Sequence, residues 1–379
     1  MFEKTKAFCD SLLSYGLPGF DFVVYHKGKC VLRHINGYSD LENKILMSGN
    51  ERYNLYSCSK VVTCVAAMQL WEKGLFSLED KLSDYMPEFE KMTVVENKKI
   101  IEAKEAIRIK HLFEMTAGFS YNCNSMNIRE SLAATNGKCP VREVMRYLAK
   151  DPLLFEPGKR WEYSLCHDVL AALVEVISGE KFEIYVKKNI FDVVGMPRST
   201  FVLPASERET LAQQYQYRNG KVNNIGKDVP YYIIGSEYAS GGASLVSTVD
   251  EYVRFLEALR THKLLKPETL AFMTTDRLSE EQRETYWTRE THGYGLGVRC
   301  PNGKEKYTDF GWGGAACSYL AVDMENEISL FFGAHVLSSP AQGLRTKVYS
   351  FVREEILGTN DFASLYKELE EIRNYKLTY

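Results

Sequence analysis

The chain has 379 residues, of which 45% are hydrophobic and 26% are charged, and its formal net charge at pH 7 is −3. This composition excludes a disordered, collagen-like or low-complexity chain. The near balance of acidic and basic side chains gives no electrostatic reason to expect nucleic acid or an anionic membrane as a partner. The length predicts two or three domains, or one large layered fold with an insertion.

The N-terminal residues and the cysteines indicate a cytoplasmic protein. Glu3, Lys4, Lys6 and Asp10 interrupt any apolar leader, so we expect no signal peptide, and no stretch approaches the ~20 apolar residues of a transmembrane helix. The nine cysteines are odd in number and form no C-x-x-C pair, which favours reduced thiols. The seven histidines show no metal-ligand spacing, so we expect no metal.

The first elements are a helix and a hairpin. Residues 2–15 have the pattern of a short amphipathic helix, and residues 20–25 and 30–35 alternate on either side of a turn that contains Gly28. Such a pattern predicts a β-hairpin. A long apolar segment then follows over residues 53–71.

The middle of the chain is predicted to be helical and the last part rich in strands. Proline and glycine breaks divide residues 72–190 into helical stretches, among them residues 169–177, which end at Ser178-Gly179. Asn219-Gly220 between alternating segments predicts a second hairpin. Further strands are predicted over residues 294–298, 315–323 and 328–336, and helices over residues 248–259 and the last thirty residues.

This order of strands, helices and strands predicts an α+β fold. One antiparallel sheet is then built from both ends of the chain and is flanked by helices. We expect residues 1–75 and 195–379 to form this α/β sheet domain, and residues 76–194 to form a mainly helical inserted domain.

The apolar segment carries the first candidate site. It reads YNLYSCSKVVTCVAAMQLW, and Lys60 is its only charged residue. Ser57 lies three positions earlier, so the two side chains share one face of a helix. A lysine in apolar surroundings loses hydration, which favours its neutral form, and a neutral amine can take the proton of a neighbouring hydroxyl. The segment therefore predicts Ser57 as a nucleophile and Lys60 as its base.

The Ser-x-x-Lys spacing alone is a weak signal, because it also occurs at Ser178/Lys181 and Ser364/Lys367. Both of those lysines are expected to be solvated, the first at a helix end and the second among glutamates. The alternative for Lys60 is a core helix whose single lysine reaches out to water.

Several segments together resemble the serine β-lactamase and penicillin-binding-protein family, most closely its class C β-lactamases and family VIII carboxylesterases. The segments with this resemblance are LYSCSKVVTCVAAMQLW, IRIKHLFEMTAGF (107–119), FEPGKRWEYSLCHDVLAALVEVISG (155–179), YASGGASLVSTVDEYVRFLEAL (238–259), YGLGV (294–298) and FGWGGAACSYLAVD (310–323). They occur in the family's order. The resemblance implies a β-lactamase/transpeptidase-like fold with the site between the sheet and the helical insertion.

The family's second motif, Tyr-x-Asn, is matched in part. Tyr163 stands at the tyrosine, which implies a proton relay beside Lys60, but Leu165 replaces the asparagine. The alternative for Tyr163 is a tyrosine packed at a helix start. A literal Tyr-x-Asn at residues 217–219 falls in the predicted hairpin turn. The pattern Tyr-Ser-Leu-x-x-Asp, which ends at Asp168, resembles the motif of the family's esterase-like branch. We expect Asp168 itself to have a structural role.

The third motif, usually Lys-Thr-Gly, is replaced by Trp312-Gly313-Gly314. The resemblance implies an oxyanion hole formed by the backbone N–H groups of Ser57 and Ala315. Trp312 offers a flat apolar wall instead of a positive charge. The alternative is a tight entry into a strand, covered by the indole.

Cys58, Cys166 and Cys317 each adjoin one of the three motifs. They either form a redox-sensitive site or serve as small buried apolar residues, and we favour the second interpretation.

Together these observations predict a serine hydrolase that forms an acyl-enzyme without a cofactor. Its expected substrates are small or medium esters, because Trp312 and Leu165 remove polar groups that β-lactam binding often uses. The alternatives are a β-lactamase or D-amino-acid peptidase and, in another class, a non-hydrolysing acyl- or β-lactam-binding protein. We expect a small ester, amide or β-lactam as the only partner, and the oligomeric state stays open.

Overall fold

The computed structural model describes residues 1–227, 234–304, 307–359 and 361–376. Its strands are β1 (Gly19–His26), β2 (Lys29–Asp40), β3 (Ile45–Leu46), β4 (Tyr53–Asn54), β5 (Thr93–Glu96), β6 (Lys99–Glu102), β7 (Gln214–Arg218), β8 (Lys221–Gly226), β9 (Val246–Ser247), β10 (Gly293–Tyr294), β11 (Arg299–Cys300), β12 (Phe310–Gly313), β13 (Tyr319–Asp323), β14 (Ile328–Ala334) and β15 (Val336–Leu337).

The helices are α1 (Glu3–Ser11), α2 (Ser59–Glu72), α3 (Ile109–Phe113), α4 (Met126–Ala134), α5 (Val141–Leu148), α6 (Cys166–Ser178), α7 (Phe182–Val186), α8 (Asp192–Val194), α9 (Val249–Arg260), α10 (Pro267–Met273), α11 (Glu280–Arg283), α12 (Ala341–Leu344), α13 (Lys347–Leu357) and α14 (Phe362–Lys376).

The main sheet has eight strands in the order β10-β11-β12-β13-β14-β1-β2-β3, and every neighbouring pair is antiparallel. The neighbouring strands β1 and β14 join the two ends of the chain. The hairpin β1–β2 turns at Lys27 and Gly28, which both have positive φ, as a two-residue hairpin turn requires. The predicted α+β class with an antiparallel sheet is confirmed.

The side chains of β1 alternate between two hydrophobic layers. Phe20, Phe22 and Val24 pack in a cluster with residues of α1, α13 and α14, whereas Val23 points into a larger cluster that contains most of α2 and α6. Strand residues alternate between faces, so the sheet separates these two layers. The larger layer positions α2, and therefore the candidate nucleophile, between the sheet and α6.

Three predicted elements differ from the structure. Residues 72–190 contain the hairpin β5–β6, whose turn residues Asn97 and Lys98 have φ values of 50° and 63°. Only the start of the predicted strand 294–298 is a strand, since Gly297 has φ of 83° and packs so closely on Cys64 that a Cβ would lie 2.1 Å from its Sγ. The predicted strand 315–323 begins only at Tyr319, because the preceding residues form a turn.

The division into a sheet domain (1–75 and 195–379) and a helical domain (76–194) stays a prediction. The strands of the eight-stranded sheet all fall within the first of these, and α3 to α7 all fall within the second.

Candidate active site

Ser57 lies in a short 3₁₀ turn, Tyr56–Cys58, that leads directly into α2. Tyr56 has φ of 48°, a left-handed conformation that is costly for a residue with a side chain and is often found at functional sites. Tyr56 and Cys58 are buried, whereas Ser57 is half-exposed. The turn therefore presents one hydroxyl to solvent from an otherwise buried segment.

Lys60 is fully buried on the first turn of α2, and its Nζ is surrounded by oxygen atoms. Lys60 Nζ donates to the Gly242 carbonyl at 2.7 Å, to the Tyr121 hydroxyl at 3.3 Å and to Ser57 Oγ at 3.4 Å. Lys60 therefore does not reach out to water. Its head group is held beside the Ser57 hydroxyl by hydrogen bonds to residues from distant parts of the chain.

Tyr163 completes the contacts of Ser57. Its hydroxyl donates to Ser57 Oγ at 2.5 Å, and its ring lies 4.5 Å from Lys60 Nζ. Tyr163 precedes α6, which packs against α2, so helix packing joins residues that are 106 positions apart. The structure thus brings the predicted residues Ser57, Lys60 and Tyr163 together.

Sequence reasoning missed Tyr121. Its ring stacks on that of Tyr163, with centroids 5.2 Å apart and planes 5° apart, and its hydroxyl contacts Lys60. Tyr121 lies two residues after the family-like stretch 107–119, and this proximity was the only signal in the sequence.

Trp312, on β12, forms part of an aromatic wall around Tyr163. The indole is nearly buried, stacks on the Tyr163 ring at 6.0 Å and meets Tyr294 edge-on at 5.4 Å. The exposed ring of Trp287 covers Tyr163 from another side at 4.9 Å. This wall gives the site a large apolar surface.

The turn between β12 and β13 depends on its two glycines. A Cβ at Gly313 would lie 2.5 Å from the Arg345 guanidinium, and a Cβ at Gly314 would lie 2.1 Å from Ser318 Oγ and 2.4 Å from the Leu55 carbonyl. Only glycine fits such close approaches. The next residue, Ala315, is consequently held against the turn that carries Ser57.

A cavity of about 590 Å³ opens above Ser57. Its lining residues are Ser57, Tyr121, Tyr163, Tyr286, Trp287, Thr288, Arg299, Trp312, Gly313, Gly314, Ala315, Tyr319, Gln342, Gly343, Arg345 and Thr346. Among the predicted site residues, Lys60 and Leu165 are missing from this set; Lys60 reaches the site through its hydrogen bond to Ser57 Oγ.

Leu165 lies in the core and not in the cavity. It occupies the N-cap of α6 with only 2% of its surface exposed, and its side chain belongs to the large hydrophobic cluster. The match to the family's second motif had predicted that Leu165 would contact the substrate, and its burial outside the cavity contradicts that prediction. The match to the family's asparagine was inferred from spacing alone, which does not show where a side chain points.

Two guanidinium groups, those of Arg299 and Arg345, also line the cavity. The Arg299 guanidinium donates a hydrogen bond to the buried carboxylate of Asp309. Burial raises the pKa of this carboxyl group, but the charge of Arg299 opposes that rise, and the pKa is lowered to about 2. Arg345 donates to the backbone carbonyls of Ser318 and Gly314 at 3.0 and 3.2 Å, and burial lowers its pKa. The cavity thus contains positive charge that Trp312 does not provide.

The three cysteines beside the motifs are all buried and lie outside any disulfide bond. Burial raises the pKa of Cys58 and of Cys166 to about 11, so both are protonated thiols at neutral pH and are poor nucleophiles. This agrees with small apolar residues and gives no support to a redox-sensitive site.

Within residues 1–227, 234–304, 307–359 and 361–376, no group of three or more histidine, cysteine or acidic side chains is arranged to hold a metal ion. The same residues include no helix with the length and apolarity needed to cross a membrane.

A comparison with models of known protein families identifies the family of the chain. The model of the Beta-lactamase family matches residues 3–347, so the chain belongs to that family, as the sequence motifs indicated.

Three similar proteins extend this result. Esterase EstB of Burkholderia gladioli is 27% identical over 289 residues, which cover 70% of this chain and 71% of EstB. Monacolin J acid methylbutanoyltransferase of Aspergillus terreus is 27% identical over 252 residues, covering 63% of this chain and 61% of the transferase. The solved structure of EstCE1, "a hydrolase with promiscuous acyltransferase activity", has a TM-score of 0.73 at 23% identity and covers 92% of this chain and 98% of its own.

The fold is accordingly the β-lactamase/transpeptidase fold. The chain is a member of a serine hydrolase family that has esterase and acyltransferase relatives.

Proposed function

We propose that the protein is a carboxylesterase that hydrolyses small or medium esters through an acyl-enzyme on Ser57. The observation that carries this proposal is the position of Ser57 Oγ, which contacts both the Tyr163 hydroxyl and Lys60 Nζ at the floor of the cavity. A hydroxyl becomes a useful nucleophile when a base within hydrogen-bond reach takes its proton.

In the proposed mechanism, Ser57 Oγ attacks the ester carbonyl while its proton passes to Lys60, either directly or through Tyr163. Tyr163 then delivers a proton to the leaving alcohol and takes back the proton held by Lys60, so that both groups return to their starting states as the alcohol departs and the acyl-enzyme forms. Water attacks this ester in the second half-reaction, with the same groups accepting and returning the proton. The short contact between Tyr163 and Ser57 Oγ supports the relay.

The backbone N–H groups of Ser57 and Ala315 are the proposed oxyanion hole. Both residues line the cavity, and Ala315 follows the two glycines that let its turn approach Leu55. Donors fixed in this way stabilise the negative oxygen of the tetrahedral intermediate without reorganising.

An apolar acyl or aryl group suits the aromatic wall formed by Tyr163, Trp287 and Trp312. The esterase relative supports ester substrates. A β-lactamase or D-amino-acid peptidase has less support, because Leu165 points into the core and Trp312 replaces the usual lysine.

Transfer of the acyl group to an alcohol is a second candidate, favoured by the methylbutanoyltransferase relative. Products formed with and without an added alcohol separate the two candidates. Transfer predicts a new ester in proportion to the alcohol, whereas hydrolysis alone yields only the free acid.

The nucleophile is tested by labelling with a fluorophosphonate and mapping the adduct by mass spectrometry. We expect the adduct on Ser57, its loss in Ser57→Ala, and its retention in the matched control Ser178→Ala. Lys60→Arg keeps a positive charge but does not accept a proton, so acylation should fall by about 10²–10⁴. Labelling that survives Ser57→Ala contradicts the assignment. Stoichiometric acylation of Ser57 without turnover on a panel of esters would instead indicate the non-hydrolysing binding protein.

A further inference from the structure

A buried carboxylate lies behind the Lys60 side chain and takes no part in the mechanism described so far. Asp168, on the first turn of α6, is 1% exposed. Its Oδ1 accepts hydrogen bonds from the Tyr238 hydroxyl at 2.9 Å and from Ser240 Oγ at 2.5 Å. Asp168 thereby fixes the segment that continues into Gly242.

The other oxygen, Oδ2, is buried and accepts no hydrogen bond from a side chain of the described residues. It faces Gly242, where a Cβ would lie 2.6 Å from Asp168 Oδ2 and 3.2 Å from Lys60 Nζ. The Gly242 carbonyl accepts the hydrogen bond from Lys60 Nζ at 2.7 Å. One glycine thus separates the carboxylate from the ammonium and is small enough to let both approach.

We propose that Asp168 is a positioning residue for Lys60, and that it stabilises the ammonium that forms when Ser57 gives up its proton. This inference rests on the proposed function. The proton leaves Ser57 Oγ, binds Lys60 Nζ and later joins the leaving alcohol, while Asp168 neither accepts nor donates a proton. A buried site offers little water to solvate a new positive charge, so a fixed carboxylate close behind Nζ lowers the free energy of that state.

Among the described residues around Lys60, Asp168 is the acidic group that can place a negative charge beside Nζ. Burial lowers the pKa of His167 to about 3, so this imidazole is neutral. Burial raises the pKa of the thiols near Lys60, to about 11 or more, and they too are neutral: Cys58, Cys64, Cys123 and Cys166. The phenols of Tyr121 and Tyr163 complete the shell.

The state of Asp168 reflects opposing effects. Burial raises the pKa of Asp168, and this is also the net direction. The hydrogen bond from Ser240, the charge of Lys60, the hydrogen bond from Tyr238 and the backbone hydrogen bond from Gly242 each favour the ionised carboxylate and offset part of that rise.

The test is the pH dependence of the acylation rate with p-nitrophenyl acetate, measured by stopped flow. Asp168→Asn keeps the shape and an acceptor oxygen but removes the charge. We expect the acid limb of the profile to move to lower pH by about one unit, because Lys60 loses a negative neighbour, and the plateau to fall at least about tenfold. The matched controls Tyr238→Phe and Ser240→Ala remove one donor each but leave the carboxyl group in place, so their acid limb should move less than that of Asp168→Asn.

A merely structural role for Asp168 predicts a lower rate at every pH with an unmoved limb, and this result would overturn the inference. If Asp168→Asn does not fold, Gly242→Ala supplies the second test, since its methyl group pushes Asp168 and Lys60 apart while every charge remains. It should move the limb in the same direction, and an unmoved limb with a folded protein again contradicts the inference. Labelling of wild type at Ser57 separates these outcomes from failure of the proposed function.

Discussion

Removing one hydroxyl from each of the two stacked tyrosines separates their roles. Tyr163 and Tyr121 have parallel rings, yet the Tyr163 hydroxyl contacts Ser57 Oγ at 2.5 Å, whereas the Tyr121 hydroxyl contacts Lys60 Nζ at 3.3 Å. Tyr163→Phe and Tyr121→Phe each delete a single oxygen and retain the ring stack. The two variants are therefore matched controls for one another.

The expected losses differ because the two hydroxyls touch different atoms. Tyr163→Phe removes the proposed proton relay, and loss of a general acid–base group lowers the rate by about 10²–10⁴. Tyr121→Phe removes one hydrogen bond worth about 0.5–1.5 kcal/mol, which corresponds to about a 2- to 13-fold loss in kcat/KM.

The assay is kcat/KM for p-nitrophenyl acetate, with the free energy of unfolding from urea denaturation as a check on folding. Both variants should retain that free energy to within about 1.5 kcal/mol. A loss in Tyr121→Phe that equals or exceeds the loss in Tyr163→Phe would refute the relay, and would indicate that the proton travels from Lys60 through Tyr121.

Three further predictions concern residues around the site. Leu165→Asn restores the family's asparagine but places an amide in the core, so the free energy of unfolding from urea denaturation should fall by about 3–5 kcal/mol. Nitrocefin turnover should not increase. A stable variant with new nitrocefin turnover would contradict the buried position of residue 165. Trp312→Lys should lower the kcat/KM for an aryl ester relative to that for nitrocefin by at least about tenfold, because one charge-assisted hydrogen bond to the nitrocefin carboxylate contributes about 1.5–3 kcal/mol. An unchanged ratio would show that Trp312 has no role in specificity. Burial raises the pKa of Glu114 from 4.5 to about 7, so the folded state holds a proton that the unfolded state releases, and stability falls as the pH rises through this window. Glu114→Gln should therefore raise the free energy of unfolding at pH 8, by on the order of 3 kcal/mol, with little change at pH 4.5, and an equal effect at both values would disprove the assignment.

The sequence predicted elements whose signals are local. Glycine positions marked the turn of β1–β2 and the end of α6, where Gly179 adopts φ of 71°. The hairpin β7–β8 turns at Asn219 and Gly220, as the dipeptide indicates. The missed hairpin β5–β6 also had a local signal, since β-branched residues flank Asn97-Lys98, but it lay inside a region interpreted as helical.

The rest of the site depends on packing between distant segments. The irregular backbone at residues 295–298 is set by close contact with α2 and α10, where a Cβ at Gly295 would lie 2.2 Å from the Met273 carbonyl. Neither the contact of Tyr121 with Lys60 nor the burial of Leu165 has a counterpart in local periodicity. The position of Arg345 against the β12–β13 turn likewise follows from the tertiary fold.

The three Ser-x-x-Lys sequences show why spacing alone says so little. Lys181 extends into solvent with 61% of its side chain exposed and lies 3.6 Å from Glu237, and Lys367 is exposed on α14. Lys60 has the same spacing from its serine, yet it is enclosed by Tyr121, Tyr163 and Gly242, none of which belongs to its own helix. The apolar face of α2 accounts for the burial of Lys60, but burial alone would leave an unpaired ammonium at a high cost. The polar contacts from the other segments offset that cost and aim Nζ at Ser57, so the chemistry expected of this helix depends on residues far from it in the chain.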